Sequence, residues 1–295
     1  MTYRQCLNSG IHILQENRIS DAEFDACELF KKAFGVDNTW LFMHGEEEMN
    51  DTLESACCVR NYHEFLDKRI SGIPLQYILG EWDFYNLTFQ VGEGVLIPRP
   101  ETELLVDLAL AYLKKLTPEN TPLVLDLCAG TGCIGITIGK NFKNCRVIEV
   151  EKSEIALKYT EKNIQFTGAD NVRAVQFDIF DGFEALAAQI GIPHENQPVL
   201  LVSNPPYVRT SALNGLQKEV LFEPSMALDG GSDGLSFYRV ICDKWIPYLK
   251  PEGLFIVECG EDQSEELEKI FSASCACVFK EKDFSGIYRV IGGKK

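Results

Sequence analysis

Apolar residues recur every three or four positions along the first part of the chain, which is the spacing of an amphipathic helix. This spacing predicts a helix over 3–17, a second that begins near Ser20 and a third over about 52–70. Ser20 and Glu23 have the arrangement of a capping box, in which each side chain bonds to the backbone of the other residue. We therefore predict a small helical domain over residues 1–75, which either serves packing alone or recognises a substrate.

Strand-forming residues replace this pattern over 76–98. Phe84 and Phe89 lie in two short runs of apolar and aromatic residues, and Asn86 falls between the runs. Aromatic residues favour strands, whereas Asn favours tight turns. The segment is therefore predicted to be a β-hairpin that links two domains, with Asn86 in its turn.

Residues 99–295 alternate short apolar runs with helical patterns. Parallel strands need connections long enough for a helix, so this alternation predicts an α/β domain with a mostly parallel sheet and helices on both of its faces. The last two runs are close enough in sequence for an antiparallel pair at the edge of the sheet. The predicted strands cover 123–127, 146–150, 172–177, 199–203, 254–258, 275–281 and 288–291.

Composition and charge narrow the class of protein. The 295 residues are 45% hydrophobic and 24% charged, as in globular proteins, and every apolar run is too short for a membrane span. The N-terminus lacks the pattern of a secretion signal, so we expect a cytoplasmic protein. The net charge of −16 disfavours nucleic acid as a partner. Eleven Cys residues without a Cys-x-x-Cys pair, together with four dispersed His residues, predict that there is no metal site.

A glycine-rich segment follows the first predicted strand of the sheet. Gly130, Gly132 and Gly135 have the spacing G-x-G-x-x-G, which lets the backbone turn tightly where open α/β sheets bind ligands. A dinucleotide and S-adenosylmethionine are the two candidate ligands. Asp126 precedes the loop, and an acidic side chain suits the positive charges of S-adenosylmethionine better than it suits a pyrophosphate. The sequence therefore favours S-adenosylmethionine, with a plain turn residue as the other interpretation of Asp126.

Two further acidic residues stand at the ends of the next two predicted strands. Glu151 follows Asp126 at about the distance expected of a ribose-binding acid in this fold. Asp178 closes the third strand, where its carboxylate would accept a hydrogen bond from an adenine amino group, with Ile179 or Phe180 packed on the ring. Acids at the ends of three successive strands predict a nucleoside site.

The fourth predicted strand ends in Asn204-Pro205-Pro206-Tyr207. Two prolines fix the backbone and remove two N–H donors, so they leave a rigid rim of acceptors. The Asn204 side-chain oxygen and the Pro205 carbonyl would each accept one hydrogen of a planar NH2 group, and Tyr207 would stack on that group. This arrangement suits methyl transfer from a sulfonium to an amide or aromatic amine nitrogen, because acceptors and positioning compensate for a weakly nucleophilic lone pair.

These motifs, with the run IPRPETE at residues 97–103, resemble the HemK/PrmC family, the release factor glutamine methyltransferases. The resemblance extends over nearly the whole chain. It implies a class I methyltransferase domain over 99–295, behind the helical domain 1–75 and the hairpin 76–98. That domain would have a doubly wound, mostly parallel seven-stranded sheet with an antiparallel edge strand. The implied reaction is N5-methylation, by S-adenosylmethionine, of the glutamine in the Gly-Gly-Gln motif of class 1 peptide release factors.

The resemblance also assigns roles to individual residues. Asn204, Pro205, Pro206 and Tyr207 would bind the glutamine amide and carry catalysis. Arg99 and Glu101 would shape the substrate-binding loop that roofs the pocket, or would form an ion pair that locks two domains together. The cofactor-binding residues would be Asp126, Cys128, Ala129, Gly130, Thr131, Gly132, Glu151, Asp178, Ile179 and Asn204.

Two other functions fit parts of the pattern. The Asn-Pro-Pro-Tyr tetrapeptide is shared with DNA adenine and RNA guanine amino-methyltransferases, but the charge of −16 and the lack of a basic recognition module disfavour them. A non-catalytic, cofactor-binding partner subunit would account for the acidic helical domain. Such proteins usually lose an active-site residue, whereas the motifs here are intact. We expect a monomer whose partner is a class 1 release factor.

Overall fold

The computed structural model of the protein describes residues 1–50, 52–116, 121–193, 196–275 and 277–295. The chain forms two compact units. The first comprises residues 1–81 and 217–222, and the second comprises residues 82–216 and 223–295. No helix within the described ranges has both the length and the apolar character needed to cross a membrane.

The first unit is helical, and its capping differs from the prediction. The second helix begins at Ala22, and its N-cap is Asp21, so Ser20 lies one residue too early to cap it and the predicted capping box is wrong. A capping box instead joins Thr2 and Gln5 at the start of the first helix. Two short helices were not predicted, the third and the fifth. The helices are α1 (Tyr3–Glu16), α2 (Ala22–Phe34), α3 (Asn38–His44), α4 (Leu53–Ser71) and α5 (Leu75–Leu79).

The predicted hairpin is present as β1 (Glu81–Phe84) and β2 (Leu87–Gln90), joined by residues 85 and 86. Asn86 lies in the turn as expected. The residue of this turn that has a left-handed backbone is Tyr85 and not Asn86; the φ of Tyr85 is 59°. The Tyr85 N–H donates to Glu103 at 2.7 Å, and the Tyr85 hydroxyl hydrogen bonds to Asp107 at 2.8 Å. These two contacts hold Tyr85 in a backbone conformation that costs a non-glycine residue about 1 kcal/mol.

The second unit contains the predicted seven-stranded sheet. The first five strands of this sheet pair in parallel, and its last strand runs antiparallel to both of its neighbours, which confirms the mostly parallel sheet and the antiparallel pair at its edge. The predicted start of the sixth run includes Ala276, which lies outside the described residues. The strands are β3 (Leu123–Leu127), β4 (Arg146–Glu151), β5 (Val172–Gln176), β6 (Leu200–Ser203), β7 (Leu254–Glu258), β8 (Cys277–Lys282) and β9 (Tyr288–Lys294). They lie in the sheet in the order β5-β4-β3-β6-β7-β9-β8.

Helices cover both faces of this sheet, because the central strands are apolar on both sides. Val124 packs with one set of helices and Leu125, its neighbour on the strand, with the other. The first set is α6 (Glu103–Leu113), α7 (Cys133–Asn141) and α8 (Glu154–Thr167). The second is α9 (Phe183–Ile190), α10 (Ser236–Lys244) and α11 (Ser264–Ser272).

The strand order fixes where a ligand can bind. From β3 the chain moves to β4 and β5 on one side, and then returns to place β6 on the other side of β3. In open α/β sheets such a reversal opens a crevice at the carboxyl ends of the two strands. The segments after β3 and β6, which hold the glycine loop and Asn204, therefore meet at this crevice.

Candidate active site

A cavity of about 320 Å³ lies at this crevice, within the usual size range of small-molecule sites. Residues from the glycine loop, from the ends of β4 and β5 and from the segment after β6 line it together. The predicted residues among them are Arg99, Cys128, Ala129, Gly130, Thr131, Glu151, Asp178, Ile179, Asn204 and Pro206. Five predicted residues, Glu101, Asp126, Gly132, Pro205 and Tyr207, are not part of the lining.

Two side chains of α8 hydrogen bond to the backbone of the glycine loop. The Thr160 hydroxyl donates to the Gly130 carbonyl at 2.8 Å, and Asn163 Nδ2 donates to the Thr131 carbonyl at 3.0 Å. Both donors are fully buried. Cys128 begins the loop with a left-handed φ of 60°, which favours glycine, so the loop keeps its shape at a local cost of about 1 kcal/mol.

Asp126 supports the loop instead of facing the cavity, which differs from its predicted contact with the cofactor. Its side chain is fully buried, and Oδ2 accepts the N–H of Gly135 in the first turn of α7 at 2.9 Å. A carboxylate that accepts a backbone N–H at a helix start is stabilised by that bond and by the helix dipole. The charge of Asp126 therefore fixes the helix that follows the loop and gives no direct evidence on the sign of the ligand's charge.

A second buried acid, Glu149 on β4, lies beside Asp126 and was not predicted as part of the site. Asp126 Oδ1 and both Glu149 carboxyl oxygens have no hydrogen-bond donor among the described residues. The two carboxyl groups are nevertheless within hydrogen-bonding reach of each other, and burial raises the pKa of both. Two ionised carboxylates could not be held together in a buried site, so the pair shares a proton that supplies the missing donor.

Glu151 lies at the end of β4, at the edge of the cavity. Oε2 accepts the N–H of Gly130 at 2.9 Å, and Oε1 accepts the N–H of Ser153 at 2.7 Å. Burial raises the pKa of this carboxyl group despite these hydrogen bonds. Each oxygen of a carboxylate can accept a second hydrogen bond, so Glu151 presents two fixed acceptors to a diol.

Asp178 follows β5 and makes an ion pair with Lys152 at 2.7 Å. Its other oxygen accepts the Phe180 N–H at 3.0 Å. Burial raises the pKa of Asp178, but the hydrogen bonds from Lys152 and Phe180 outweigh this effect and the pKa is lowered. Ile179 and Phe180 supply apolar surface beside this carboxylate, which suits the faces of a heteroaromatic ring.

The tetrapeptide after β6 divides between the cavity and the protein interior. Asn204 and Pro206 line the cavity, whereas Pro205 is buried behind it and Tyr207 is half-buried outside the lining. Gln263 Nε2 donates to the Tyr207 carbonyl at 2.9 Å, which anchors the end of the segment. This hydrogen bond fixes the end of the segment, but the expected stacking surface of Tyr207 does not face the cavity.

Arg99 and Glu101 do not pair with each other. Arg99 forms an ion pair with Glu223, which is 5% exposed and also accepts the Ile97 N–H at 3.0 Å. Glu101 is exposed. Glu223 thus ties the segment around Arg99 to the segment that carries Met226, another residue of the cavity lining. Nothing in the sequence pattern identified Glu223 as the partner of Arg99.

Two buried residues behind Asn204 were also missed as members of the site. Thr102 Oγ1 accepts a hydrogen bond from Asn204 Nδ2 at 3.2 Å and donates to Glu258 Oε2 at 2.6 Å. Glu258 is the last residue of β7, the neighbour of β6 in the sheet. Among the described residues, no group of three or more His, Cys, Asp and Glu side chains is arranged to hold a metal ion.

Comparison with known proteins gives matches along nearly the entire chain. The family model of the PrmC N-terminal domain matches residues 5–80, and that of the methyltransferase small domain matches residues 105–231. A release factor glutamine methyltransferase of Thermodesulfovibrio yellowstonii is 36% identical over 277 residues, which cover 93% of each chain. A protein of the same name from Geobacter sulfurreducens is 36% identical over 298 residues, covering 99% of this chain and 96% of the relative.

A solved structure resembles the fold. The hMettl16 catalytic domain in complex with MAT2A 3′UTR hairpin 1 has a TM-score of 0.52 and 13% sequence identity, covering 80% of this chain and 79% of that one. At this level of identity the likeness concerns the fold alone.

Proposed function

Because the chain belongs to the family of release factor glutamine methyltransferases, we propose that it methylates N5 of the glutamine in the Gly-Gly-Gln motif of class 1 peptide chain release factors. S-adenosylmethionine is the proposed methyl donor. The observation that carries the proposal is the meeting of two motifs at one cavity, which is lined both by the glycine loop of residues 128–131 and by Asn204 and Pro206. This transfer requires two parts: a loop that binds the nucleoside and a segment, here residues 204–207, that binds the amide.

The residues of the cavity fit S-adenosylmethionine. Glu151 would accept both ribose hydroxyl protons, since its two oxygens accept the N–H groups of Gly130 and Ser153 and a carboxylate has about four acceptor sites in all. Asp178, with Ile179 and Phe180 beside it, would hold the adenine. The backbone of residues 128–131 would lie along the rest of the molecule. When bound, the cofactor would supply an electrophilic methyl group on a sulfonium whose positive charge is lost on transfer.

Asn204 is the residue proposed to position the substrate amide. Its Nδ2 is committed to Thr102, so Oδ1 is the atom available to accept a hydrogen of the glutamine NH2. An acceptor on this hydrogen favours a pyramidal nitrogen with a more available lone pair, and the rigid prolines keep that nitrogen in place. The nitrogen would gain the methyl group and lose one proton, which passes to solvent after the transfer. No negative charge develops on the amide oxygen, so no oxyanion requires stabilisation.

Apolar side chains would keep water out of the reacting centre. Phe180, Phe237, Pro224 and Met226 all line the cavity. Met226 is 55% exposed and Phe180 39% exposed. They therefore present apolar surface to an incoming protein segment. Exclusion of water strengthens every polar contact that holds the amide.

The domain roles follow from the proposed substrate. We assign substrate recognition to the helical domain 1–75, a linking role to 76–98 and catalysis to 99–295. A net charge of −16 suits a basic surface on the release factor. The proposal includes a monomeric enzyme that acts in the cytoplasm, where translation takes place, and that does not bind nucleic acid directly.

A methyl transfer assay tests this function. The purified chain is incubated with radiolabelled S-adenosylmethionine and a release factor, with the Gln→Ala variant of its Gly-Gly-Gln motif as the matched control. We expect label on the first substrate only. Equal labelling of both proteins would refute the glutamine assignment, and stronger labelling of DNA or RNA would favour an amino-methyltransferase acting on nucleic acid.

A further inference from the structure

A buried relay of hydrogen bonds lies behind the residue proposed to hold the substrate. It runs from Asn204 Nδ2 to Thr102 Oγ1 at 3.2 Å, and from Thr102 Oγ1 to Glu258 Oε2 at 2.6 Å. Thr102 and Glu258 are each 2% exposed. Glu258 lies on β7 and Asn204 follows the adjacent strand β6, so the relay joins two central strands of the sheet.

The relay has a direction that is set by its carboxylate. A threonine hydroxyl has one proton, and an ionised Glu258 can only accept it. The Thr102 oxygen is then left with lone pairs towards Asn204, so the Asn204 group that faces it must be the NH2 donor. The side-chain oxygen of Asn204 is consequently the atom that remains for a ligand in the cavity.

We propose that Thr102 and Glu258 are positioning residues for methyl transfer, in which ionised Glu258 orients the Thr102 hydroxyl and thereby holds the Asn204 oxygen towards the substrate amide. The inference rests on the proposed function, since it concerns the amide that Asn204 binds. Glu258 lies outside the cavity lining, and Thr102 reaches the cavity wall but uses its hydroxyl for Glu258 and Asn204. Both act by selecting one of the two orientations of the Asn204 carboxamide.

Protonation of Glu258 would remove this selection. A protonated carboxyl can donate to the Thr102 oxygen, which frees the Thr102 proton to point at Asn204. The carboxamide could then turn its oxygen towards Thr102 and its NH2 towards the substrate, where two donors would face each other. Activity should therefore be lost as the pH falls through the pKa of Glu258.

Burial places that pKa near neutrality. It raises the pKa of Glu258 to about 7, outweighing the hydrogen bond from Thr102 and the positive charge of Arg289. The Tyr238 hydroxyl also donates to the Glu258 backbone carbonyl at 2.8 Å, which fixes the end of the strand. The other titratable or charged groups around Glu258 are Arg99, Glu101, Cys133, Tyr207 and Cys259.

Steady-state methylation of a release factor between pH 6 and 9 tests the relay. Thr102→Val keeps the shape and removes the hydroxyl, and we expect kcat at pH 8 to fall about tenfold, with KM for S-adenosylmethionine within about twofold of wild type. Thr102→Ser restores the hydroxyl and should recover most of the activity. Glu258→Gln should abolish the acidic inflection near pH 7. Thr137→Val, a buried threonine of α7 whose hydroxyl has no partner among the described residues, is the matched control and should retain wild-type kinetics.

A second readout does not depend on the substrate. The side-chain amide signals of Asn204 in a 15N-labelled protein, assigned by their loss in Asn204→Ala, should shift with a midpoint near pH 7 in the wild type. These shifts should disappear in Glu258→Gln and in Thr102→Val. If the Asn204 amide titrates as expected but the release factor is not methylated, the proposed function is refuted, whereas the hydrogen-bond relay is supported.

Three outcomes would overturn the relay. One is wild-type kcat and an unchanged pH profile in Thr102→Val. Another is an equal loss of activity in Thr102→Val and Thr102→Ser, which would indicate a packing role. The third is an acidic inflection, or a titration of the Asn204 amide, that persists in Glu258→Gln.

Discussion

Arg69 on α4 donates a hydrogen bond to Asp25 on α2 at 2.6 Å, and each side chain is only 5% exposed. The other end of the same guanidinium pairs with Glu219 at 2.6 Å, within the same compact unit. Removing one partner of a buried pair leaves an uncompensated charge and costs about 3–5 kcal/mol. Arg69→Met should therefore destabilise the helical unit by about this amount, seen as faster hydrogen exchange of the α2 and α4 amides in the full chain.

Two controls separate this effect from general damage. Lys158→Met breaks an exposed ion pair with Glu154 at 2.8 Å, and should change stability by less than about 1 kcal/mol. The double variant Asp25→Leu/Arg69→Met removes both buried charges and should restore much of the protection of the α2 and α4 amides from hydrogen exchange. Unchanged exchange in Arg69→Met would contradict the prediction.

The shared proton of Asp126 and Glu149 predicts a pH-dependent stability. Burial raises the pKa of both carboxyl groups, so the folded protein keeps a proton that the unfolded chain releases at about pH 4. The resulting stabilisation is complete below the unfolded pKa and is lost as the pH rises through the folded pKa. Glu149→Gln removes the titration and retains a hydrogen-bond donor for Asp126. Relative to this variant, the wild type should lose unfolding free energy between pH 5 and 7, at up to about 1.4 kcal/mol per pH unit.

Urea unfolding of both proteins at pH 5, 6, 7 and 8 measures this difference. Glu265→Gln, which replaces an exposed glutamate of α11, should follow the wild-type curve at every pH. If the free energy of unfolding changes equally with pH in the wild type and in Glu149→Gln, the buried pair holds no extra proton.

Much of the fold could be predicted because its signals are local. Three of the five parallel strands, β3, β6 and β7, are short, mainly apolar runs buried at every residue, and the hairpin around Asn86 has a clear turn residue. Two helices of the sheet domain escaped prediction for opposite reasons. The helix α6 is apolar around most of its circumference, so it has little periodicity. The helix α11 has a clear apolar stripe formed by Leu267, Ile270 and Phe271, but it spans only 9 residues, fewer than the window of about 11 or more in which a helical period is read.

The site was predictable where backbone geometry determines it. The glycine loop and Glu151 lie at strand ends, and their place at the cavity follows from the strand order. The roles of Asp126, Thr102 and Glu258 depend on partners distant in sequence, and no spacing rule reveals those partners. Asp126 looked like a ligand-binding acid, but the Gly135 N–H it accepts is set by how α7 leaves the loop.

Gly132 is expected to tolerate no side chain. Its φ is +78°, and an added Cβ would lie 2.8 Å from both Ile136 and Thr160, the residue that holds the loop. Gly132→Ala should therefore destabilise the protein by about 2–4 kcal/mol and weaken cofactor binding. Gly191 is the matched control, because its φ is +70° but nothing lies within 4 Å of an added Cβ. Gly191→Ala should lower the free energy of unfolding by only about 1 kcal/mol and leave the cofactor affinity unchanged. Thermal unfolding measures the stability of both variants, and calorimetry measures their cofactor affinity. Equal effects of the two substitutions would contradict the close packing around Gly132.

Glu151 is expected to determine cofactor affinity. Its two oxygens accept the N–H groups of Gly130 and Ser153, and Glu151→Gln would turn an NH2 group towards one of these donors. We expect the Kd for S-adenosylmethionine, measured by isothermal titration calorimetry, to rise about tenfold or more. Glu154→Gln, a nearby substitution on the exposed side of α8, should leave the Kd unchanged. A wild-type Kd in Glu151→Gln would remove this residue from the proposed site.

The central claim is that Asn204, which is followed by Pro205 and Pro206, presents a glutamine amide to a methyl donor in the cavity. Peptide mass spectrometry of a release factor, incubated with S-adenosylmethionine and either the wild type or Asn204→Ala, tests it most directly. We predict one added methyl group on the Gly-Gly-Gln glutamine with the wild type, and at least a hundredfold slower modification with Asn204→Ala at saturating S-adenosylmethionine. Methylation at any other residue, or the same rate with both enzymes, would contradict the account.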